Sequence, residues 1–170
     1  MRVLMLGDSQ LARLARYPRL IARETTNRAV GGATAPEVLD QLGELDPAGY
    51  DVVLLGVGTN DAGSRPVPLP HFLAAIESVI GRLAGTPLVF VTSPGADARA
   101  VGYDDAHMAR YAVEASAVVR AAGGTVVETP AVIARLGRAG RTPDGIHISQ
   151  LGHLLYVPAL RRAARRAQRS

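Results

Sequence analysis

The chain has 170 residues, 48% of them hydrophobic and 20% charged, which predicts one folded domain over residues 1–170 and excludes extensive disorder. It contains no cysteine, which excludes a thiol nucleophile, a disulfide framework and thiolate metal sites. The formal net charge of +4 comes from the C-terminal end of the chain, because five of the 19 basic residues lie in the last ten positions. The rest of the chain has 14 basic residues and 15 acidic ones and is nearly neutral.

The N-terminal apolar run covers only residues 2–6 before Gly7 and Asp8 interrupt it. It is shorter than the apolar core of a signal peptide, and nowhere does the chain have the stretch of about 18 apolar residues that spans a bilayer. We therefore expect a cytoplasmic protein without a membrane span.

Five segments of the chain are predicted to be β-strands. They are short and rich in Val, Leu and Thr, and they end at turn-forming residues: 2–6, 25–30, 51–57, 87–92 and 125–128. The third is the clearest strand, because its apolar residues run without alternation, as in a strand buried on both faces of a parallel sheet.

Helices are predicted between the strands. Thr34 and Glu37 form a capping box around Pro36 at the start of one of them, and Ser149 caps the last. The predicted helical segments are 11–16, 34–45, 71–83, 104–122, 130–136 and the stretch after 149. Alternating strands and helices predict an α/β protein, a doubly wound parallel sheet of about five strands with helices on both faces.

An Arg-rich tail, residues 159–170, carries the basic excess. Its arginines recur at i, i+4 spacing, which indicates the solvated face of a terminal helix near the negative end of the helix dipole: Arg161, Arg162, Arg165 and Arg166. A contact between this tail and nucleic acid or another anionic surface is the alternative, although we do not expect nucleic acid as a partner.

Chemically active side chains follow four predicted strands, at the edge of the sheet where ligands bind. Ser9 is a candidate nucleophile, His147 its base, and Asp144 the group that orients the imidazole. The backbone N–H groups of Ser9 and Gly32 and the side-chain amide of Asn60 are candidate donors to an oxyanion. Taken singly, Ser9 is as well explained as a helix N-cap, and Asp144 with His147 as a surface pair.

In sequence order these blocks resemble the SGNH hydrolase family, also called GDSL esterases and lipases, which is named for a Ser, a Gly, an Asn and a His in four blocks. The matching segments are Gly7-Asp8-Ser9, residues 27–34 with Gly32, Gly58-Thr59-Asn60-Asp61, and Asp144-Gly145-Ile146-His147. The resemblance implies a flavodoxin-like three-layer α/β/α fold. It also implies hydrolysis of an ester or thioester through an acyl-serine, with no metal or other cofactor.

The chain departs from the family pattern at two positions. Gln10 follows the serine where the name-giving motif has Leu, and Ala29 stands where the second block often has Gly. Neither residue supplies a catalytic atom, so we expect these departures to affect the choice of substrate and the subfamily more than the chemistry.

The substrate is expected to be a small ester or thioester with a short acyl group, because the chain is short for an enzyme with a lid domain. Arg65 and Arg99, in the loops 62–70 and 93–103, are candidate contacts for an anionic substrate. Asp8 is a further candidate at the substrate edge, although Asp8 and Asp61 are equally explained as turn or cap residues that accept backbone N–H groups.

Three other functions compete with hydrolysis. A binding or scaffold protein can keep this fold without activity, and an acyltransferase can use the same serine with an acceptor other than water. A metal site at His147 and His153 lacks a third ligand at suitable spacing. The remaining histidines, His71 and His107, are interpreted as helix-surface or core residues.

Overall fold

A computed structural model describes residues 1–83 and 85–169 of the chain. Ser170, the last residue of the predicted Arg-rich tail, lies outside the described residues. Five strands form one sheet: β1 (Arg2–Gly7), β2 (Glu24–Asn27), β3 (Val52–Gly56), β4 (Leu88–Val91) and β5 (Thr125–Val127). All neighbouring pairs are parallel, in the order β2-β1-β3-β4-β5, which confirms the predicted doubly wound α/β fold.

Seven α-helices connect and follow the strands in the described residues. They are α1 (Ser9–Ala12), α2 (Pro18–Ile21), α3 (Val38–Leu42), α4 (Leu69–Arg82), α5 (Asp105–Ala121), α6 (Thr129–Ile133) and α7 (Gln150–Ala167). Short 3-10 turns occur at Arg13–Arg16, Ala35–Glu37, Pro47–Gly49 and Ala134–Gly140.

The sheet separates two layers of hydrophobic core. Because successive side chains of a strand point to opposite faces, Leu4 and Leu6 of β1 pack on the side of α3, α4 and α5. Val3 and Met5 pack on the side of α1, α2 and α7. The result is the three-layer arrangement that the sequence predicted.

The second strand ends earlier than predicted. Asn27 turns the chain: its side chain accepts from the N–H of Ala29 and donates to the carbonyl of Leu11. The N–H groups of Arg28 and Val30 still donate to carbonyls of β1, so residues 28–30 follow the edge of the sheet without being part of β2.

Several helices also differ from the sequence prediction. The helix predicted to continue to Leu45 ends at Leu42, because Gly43 adopts φ +52°. The helix α2, which begins at Pro18, is not among the predicted segments; proline is well suited to its first turn because the missing N–H has no intrahelical partner there. The helices predicted over 11–16 and 130–136 are α-helical only in part and continue as the 3-10 turns Arg13–Arg16 and Ala134–Gly140.

Three further local predictions agree with the structure. Thr34 and Glu37 form the capping box, and Ser149 caps α7 by accepting from the N–H of Gly152. The four arginines at the end of α7 lie on its exposed side. No helix within residues 1–83 and 85–169 is long and apolar enough to cross a membrane.

The ends of β1 and β3 approach each other closely at Gly7 and Gly56, which are paired in the parallel register. Gly7 adopts φ +132°, and a Cβ atom at this position would collide with the carbonyl of Gly56. The adjacent N–H of Asp8 donates to that same carbonyl over 2.8 Å. Glycine at position 7 therefore lets the chain turn directly from β1 into Ser9.

We expect Gly7→Ala to lower the free energy of unfolding by about 3 kcal/mol or more, because the new methyl group adds a backbone clash to an unfavourable φ. Gly81→Ala is the matched control: Gly81 lies in α4, and nothing lies within 4 Å of its added Cβ. We expect the free energy of unfolding of this control, measured by urea denaturation, to rise by up to about 1 kcal/mol. Equal stability of the two variants would contradict the account of Gly7.

Candidate active site

Ser9 is the first residue of α1, directly after the end of β1. The helix is capped by Asp8, whose carboxylate accepts from the N–H of Gln10 at 2.9 Å, so Ser9 is not the N-cap. The Oγ atom of Ser9 is thus not engaged in capping, and it lies 2.9 Å from Nε2 of His147, which is 138 residues away in sequence. A hydroxyl and an imidazole at hydrogen-bond distance can exchange a proton.

Asp144 completes a chain of three side chains. Its Oδ2 lies 2.8 Å from Nδ1 of His147, and its Oδ1 accepts from the N–H groups of Ile146 and His147. Burial raises the pKa of Asp144, but bonds from the Thr142 hydroxyl and from His147 outweigh it and hold the pKa well below its usual range. An ionised Asp144 favours the tautomer with hydrogen on Nδ1, which leaves Nε2 free to accept the serine proton.

The second block lies beside the end of β1. The N–H of Val30 donates to the carbonyl of Gly7 at 2.9 Å, and the chain then turns at Gly32, where φ is +82°. An added Cβ at Gly32 would meet nothing within 4 Å, so this backbone faces open space that a substrate can occupy.

The third block is joined to the second by side chains. Asn60 is buried, and its Nδ2 donates to the carbonyl of Ala33 at 2.9 Å. An amide nitrogen carries two hydrogens, so this bond fixes the orientation of Asn60 and leaves one hydrogen for a ligand. Asp61 accepts from the N–H groups of Ala35 and Gly58 at 2.8 and 3.0 Å. The loops that carry Gly32 and Asn60 are therefore held together.

Arg65 also contacts the loop of Gly32. Its Nη1 donates to the carbonyl of Gly32 at 2.9 Å and to the carboxylate of Glu37 at 2.7 Å, and its Nη2 makes a second bond to Glu37 at 2.9 Å. The guanidinium lowers the pKa of Glu37 to about 2. The charge of Arg65 is already matched by a carboxylate, and the side chain remains half exposed at 52%.

Arg99 is paired in the same way. Its Nη2 lies 2.6 Å from the carboxylate of Asp97 and also donates to the carbonyl of Arg138. The N–H of Asp97 donates to the carbonyl of Gly145, next to Asp144. The structure thus places Arg99 at the loop of His147, with its charge compensated.

Asp8, a candidate at the substrate edge, is only 1% exposed and is not on the accessible surface of the site. Desolvation by burial raises its pKa to about 7, and the nearby Asp61 carboxylate contributes to the increase. Burial likewise raises the pKa of Asp61 to about 6. Both carboxyls accept from backbone N–H groups: Asp8 caps α1, and Asp61 joins the loop of Asn60 to Ala35.

Two buried glutamines close to the site were not recognised from the sequence. Gln41 bonds the N–H and the carbonyl of Gly7 at 2.6 and 2.9 Å. Gln10 bonds the carbonyl of Ile146 at 3.0 Å and the N–H of Ile148 at 3.4 Å. Their only sequence signal is a polar residue at a position where the pattern expects an apolar one.

A surface cavity of about 430 Å³ adjoins the loop that carries Gly32. Charged and amide side chains form much of its wall: Arg28, Glu37, Asp40, Gln41 and Arg65. Its remaining lining comes from Val30, Gly31 and Ala33. Among residues 1–83 and 85–169, no group of three or more His, Asp and Glu side chains is placed to hold a metal ion.

One protein-family model matches most of the chain. The model of the GDSL-like Lipase/Acylhydrolase family matches residues 5–155, a range that contains all four blocks. No curated protein matches the sequence.

Solved structures share the fold over almost the whole chain. A lipase/acylhydrolase from Enterococcus faecalis has a TM-score of 0.83 at 23% identity, over 98% of this chain and 97% of that one. A GDSL-like lipase from Bacteroides thetaiotaomicron has a TM-score of 0.81 at 15% identity, over 98% and 88%. An acetylxylan esterase from Geobacillus stearothermophilus has a TM-score of 0.72 at 16% identity, over 96% and 93%.

We expect Asp8→Asn to stabilise the protein more at about pH 8.5 than at about pH 5. Burial raises the folded-state pKa of Asp8 to about 7, so wild type loses stability as the pH rises from 3.8, the ordinary pKa of an aspartate, through 7, where the buried carboxyl ionises. Asparagine keeps a cap oxygen for the N–H of Gln10 and does not titrate. Thermal denaturation at the two pH values measures this, and a pH-independent difference in Tm would contradict it.

Proposed function

The chain belongs to the GDSL-like lipase/acylhydrolase family, and on this premise we propose that it hydrolyses esters with short acyl groups through an acyl-serine intermediate. The observation that carries the proposal is the hydrogen-bonded series Ser9, His147 and Asp144, with successive separations of 2.9 and 2.8 Å. This series supplies a nucleophile, a base and a group that orients the base.

In the first half-reaction, Oγ of Ser9 bonds to the ester carbonyl carbon while Nε2 of His147 takes the hydroxyl proton. The tetrahedral intermediate then collapses, the C–O bond to the alcohol breaks, and the imidazolium returns the proton to the leaving oxygen. In the second half-reaction, a water molecule attacks the acyl-serine with His147 again as base, and the acid is released with Ser9 restored. Asp144 stabilises the imidazolium in both halves.

The negative charge on the carbonyl oxygen needs donors that are already in position. We assign this role to the N–H groups of Ser9 and Gly32 and to Nδ2 of Asn60. Asn60 is held by the carbonyl of Ala33, and the loop of Gly32 is held by Arg65. Donors that do not have to reorganise are each worth about 3 kcal/mol in the transition state.

The cavity next to Gly32 is lined by Gly31 and Ala33 and not by Ser9 or His147, so it bears on the part of the substrate that extends away from the reacting carbon. Its wall contains two arginines, an aspartate and a glutamate, and a long alkyl chain placed there would desolvate these charges without compensation. The acetylxylan esterase that shares the fold acts, by its name, on acetyl groups of a carbohydrate. An acetyl ester of a polyol or sugar is therefore the substrate class that we propose.

We expect Ser9→Ala to abolish labelling by a fluorophosphonate probe and to lower turnover of p-nitrophenyl acetate by at least about 1,000-fold. Ser78→Ala is the matched control, because Ser78 is an exposed serine in α4 whose hydroxyl bonds the carbonyl of Ala74. This control should label and turn over like wild type.

Well-folded wild type that neither labels nor turns over would overturn the proposal in favour of a binding protein. Labelling at Ser9 without release of free acid, but with acyl transfer to an added alcohol or amine, would identify an acyltransferase.

We expect Arg65→Ala to lower kcat for a neutral ester about tenfold, because the guanidinium bonds the carbonyl of Gly32 and so positions the loop that carries the proposed oxyanion donor Gly32. Arg28→Ala is the control: it removes the same charge from the same cavity and leaves the bond to Gly32 intact. If Arg65→Ala or Arg99→Ala instead raises KM for anionic esters alone, these residues are substrate contacts.

A further inference from the structure

The distance between Ser9 and His147 depends on how the loop of His147 is attached to the rest of the protein. The bonds made by Asp144, to Ile146, His147 and Thr142, all lie within that loop. They fix the shape of the loop and the rotation of the imidazole. They do not fix where the loop lies relative to α1.

Gln10 makes the direct connection between the two elements. Its Nε2 donates to the carbonyl of Ile146 at 3.0 Å, and its Oε1 accepts from the N–H of Ile148 at 3.4 Å. These two backbone groups flank His147 on either side. The orientation of the amide follows from its partners, since a carbonyl only accepts and an N–H only donates.

The adjacent residue Ser9 contacts the same loop at the imidazole itself. Successive side chains of a helix project about 100° apart, so Ser9 and Gln10 reach different parts of the loop from one turn of α1. The pair 9–10 therefore contacts residues 146–148 at three points: the ring of His147, the carbonyl before it and the N–H after it.

Burial of the three residues strengthens this connection. Gln10 is 4% exposed, Ile146 9% and Ile148 2%, so water does not compete for the two bonds. On its other side Gln10 continues from Asp8 and β1, whose end is fixed against Gly56. Two other bonds of this segment, from the N–H of Asp97 to the carbonyl of Gly145 and from Nη2 of Arg141 to the carbonyl of Pro94, lead to the loop 93–103 and not to α1.

We propose that Gln10 is a positioning residue that holds Nε2 of His147 at proton-transfer distance from Ser9. This inference rests on the proposed acyl-serine mechanism. It also gives a role to Gln10, which stands where the family motif has leucine after the serine. A leucine side chain can fill the same space, but it can neither donate nor accept a hydrogen bond.

The test compares Gln10→Met with wild type, because methionine keeps the length of the side chain and loses both bonds. With p-nitrophenyl acetate as substrate and active sites counted by fluorophosphonate labelling, we expect kcat and the labelling rate to fall about 10- to 100-fold, with KM changed by less than about twofold. A looser loop weakens proton transfer more than substrate binding.

Thr92→Val is the control. Thr92 is also buried, and its Oγ1 accepts from the N–H of Thr129 at 3.0 Å, so this variant loses a buried bond to the backbone of α6 and not to the loop of His147. We expect it to lower Tm while keeping kcat per active site near that of wild type.

Gln10→Glu gives an independent measurement if Gln10→Met does not fold. A protonated glutamic acid can donate to the carbonyl of Ile146 and accept from the N–H of Ile148, whereas a carboxylate can only accept and repels that carbonyl. We therefore expect the ratio of kcat in Gln10→Glu to kcat in wild type to be larger at about pH 6 than at about pH 8.5.

The inference is overturned if Gln10→Met keeps the wild-type kcat and labelling rate, or if the activity ratio of Gln10→Glu does not change with pH. Both results are read only if the wild-type protein is active. If wild type itself is not labelled, the proposed function is overturned, and this outcome differs from one in which wild type is active and the Gln10 variants behave like it.

Discussion

The close approach of Gly7 and Gly56 is the constraint on which the site depends. These residues end β1 and β3 at the same level of the parallel sheet, so Ser9 and Asn60 both follow the ends of adjacent strands. No larger side chain fits at Gly7, because its Cβ would collide with the carbonyl of Gly56. A packing requirement between two backbones thus helps to determine where the proposed nucleophile and a proposed oxyanion donor lie.

From this point, polar side chains connect segments that are distant in sequence. Asn60 bonds the carbonyl of Ala33, Arg65 bonds the carbonyl of Gly32, and Gln10 bonds the backbone on both sides of His147. Each bond joins an element that carries one candidate site residue to an element that carries another. Hydrogen bonds that take no part in the proposed chemistry therefore hold the candidate site in place, as electrostatic stabilisation of a transition state requires.

The sequence predicted the features that depend on local pattern or on strand order. Alternation of strands and helices gave the sheet, and the order of the blocks placed Ser9, Asn60 and His147 at one edge. It did not predict that Arg65 pairs with Glu37 or that Gln10 reaches Ile146, because such contacts depend on side-chain directions across 28 and 136 residues of chain. The boundary at Asn27 was missed because its side chain competes for backbone hydrogen bonds.

The most direct test of the account is to trap the covalent intermediate. Wild-type protein turning over p-nitrophenyl acetate is quenched in acid, and its peptides are sequenced by tandem mass spectrometry. The account predicts one acetyl group, on Oγ of Ser9, that forms as fast as the first product is released. Steady turnover with no acetyl group on Ser9 would contradict the acyl-serine mechanism and with it the role given to His147 and Asp144.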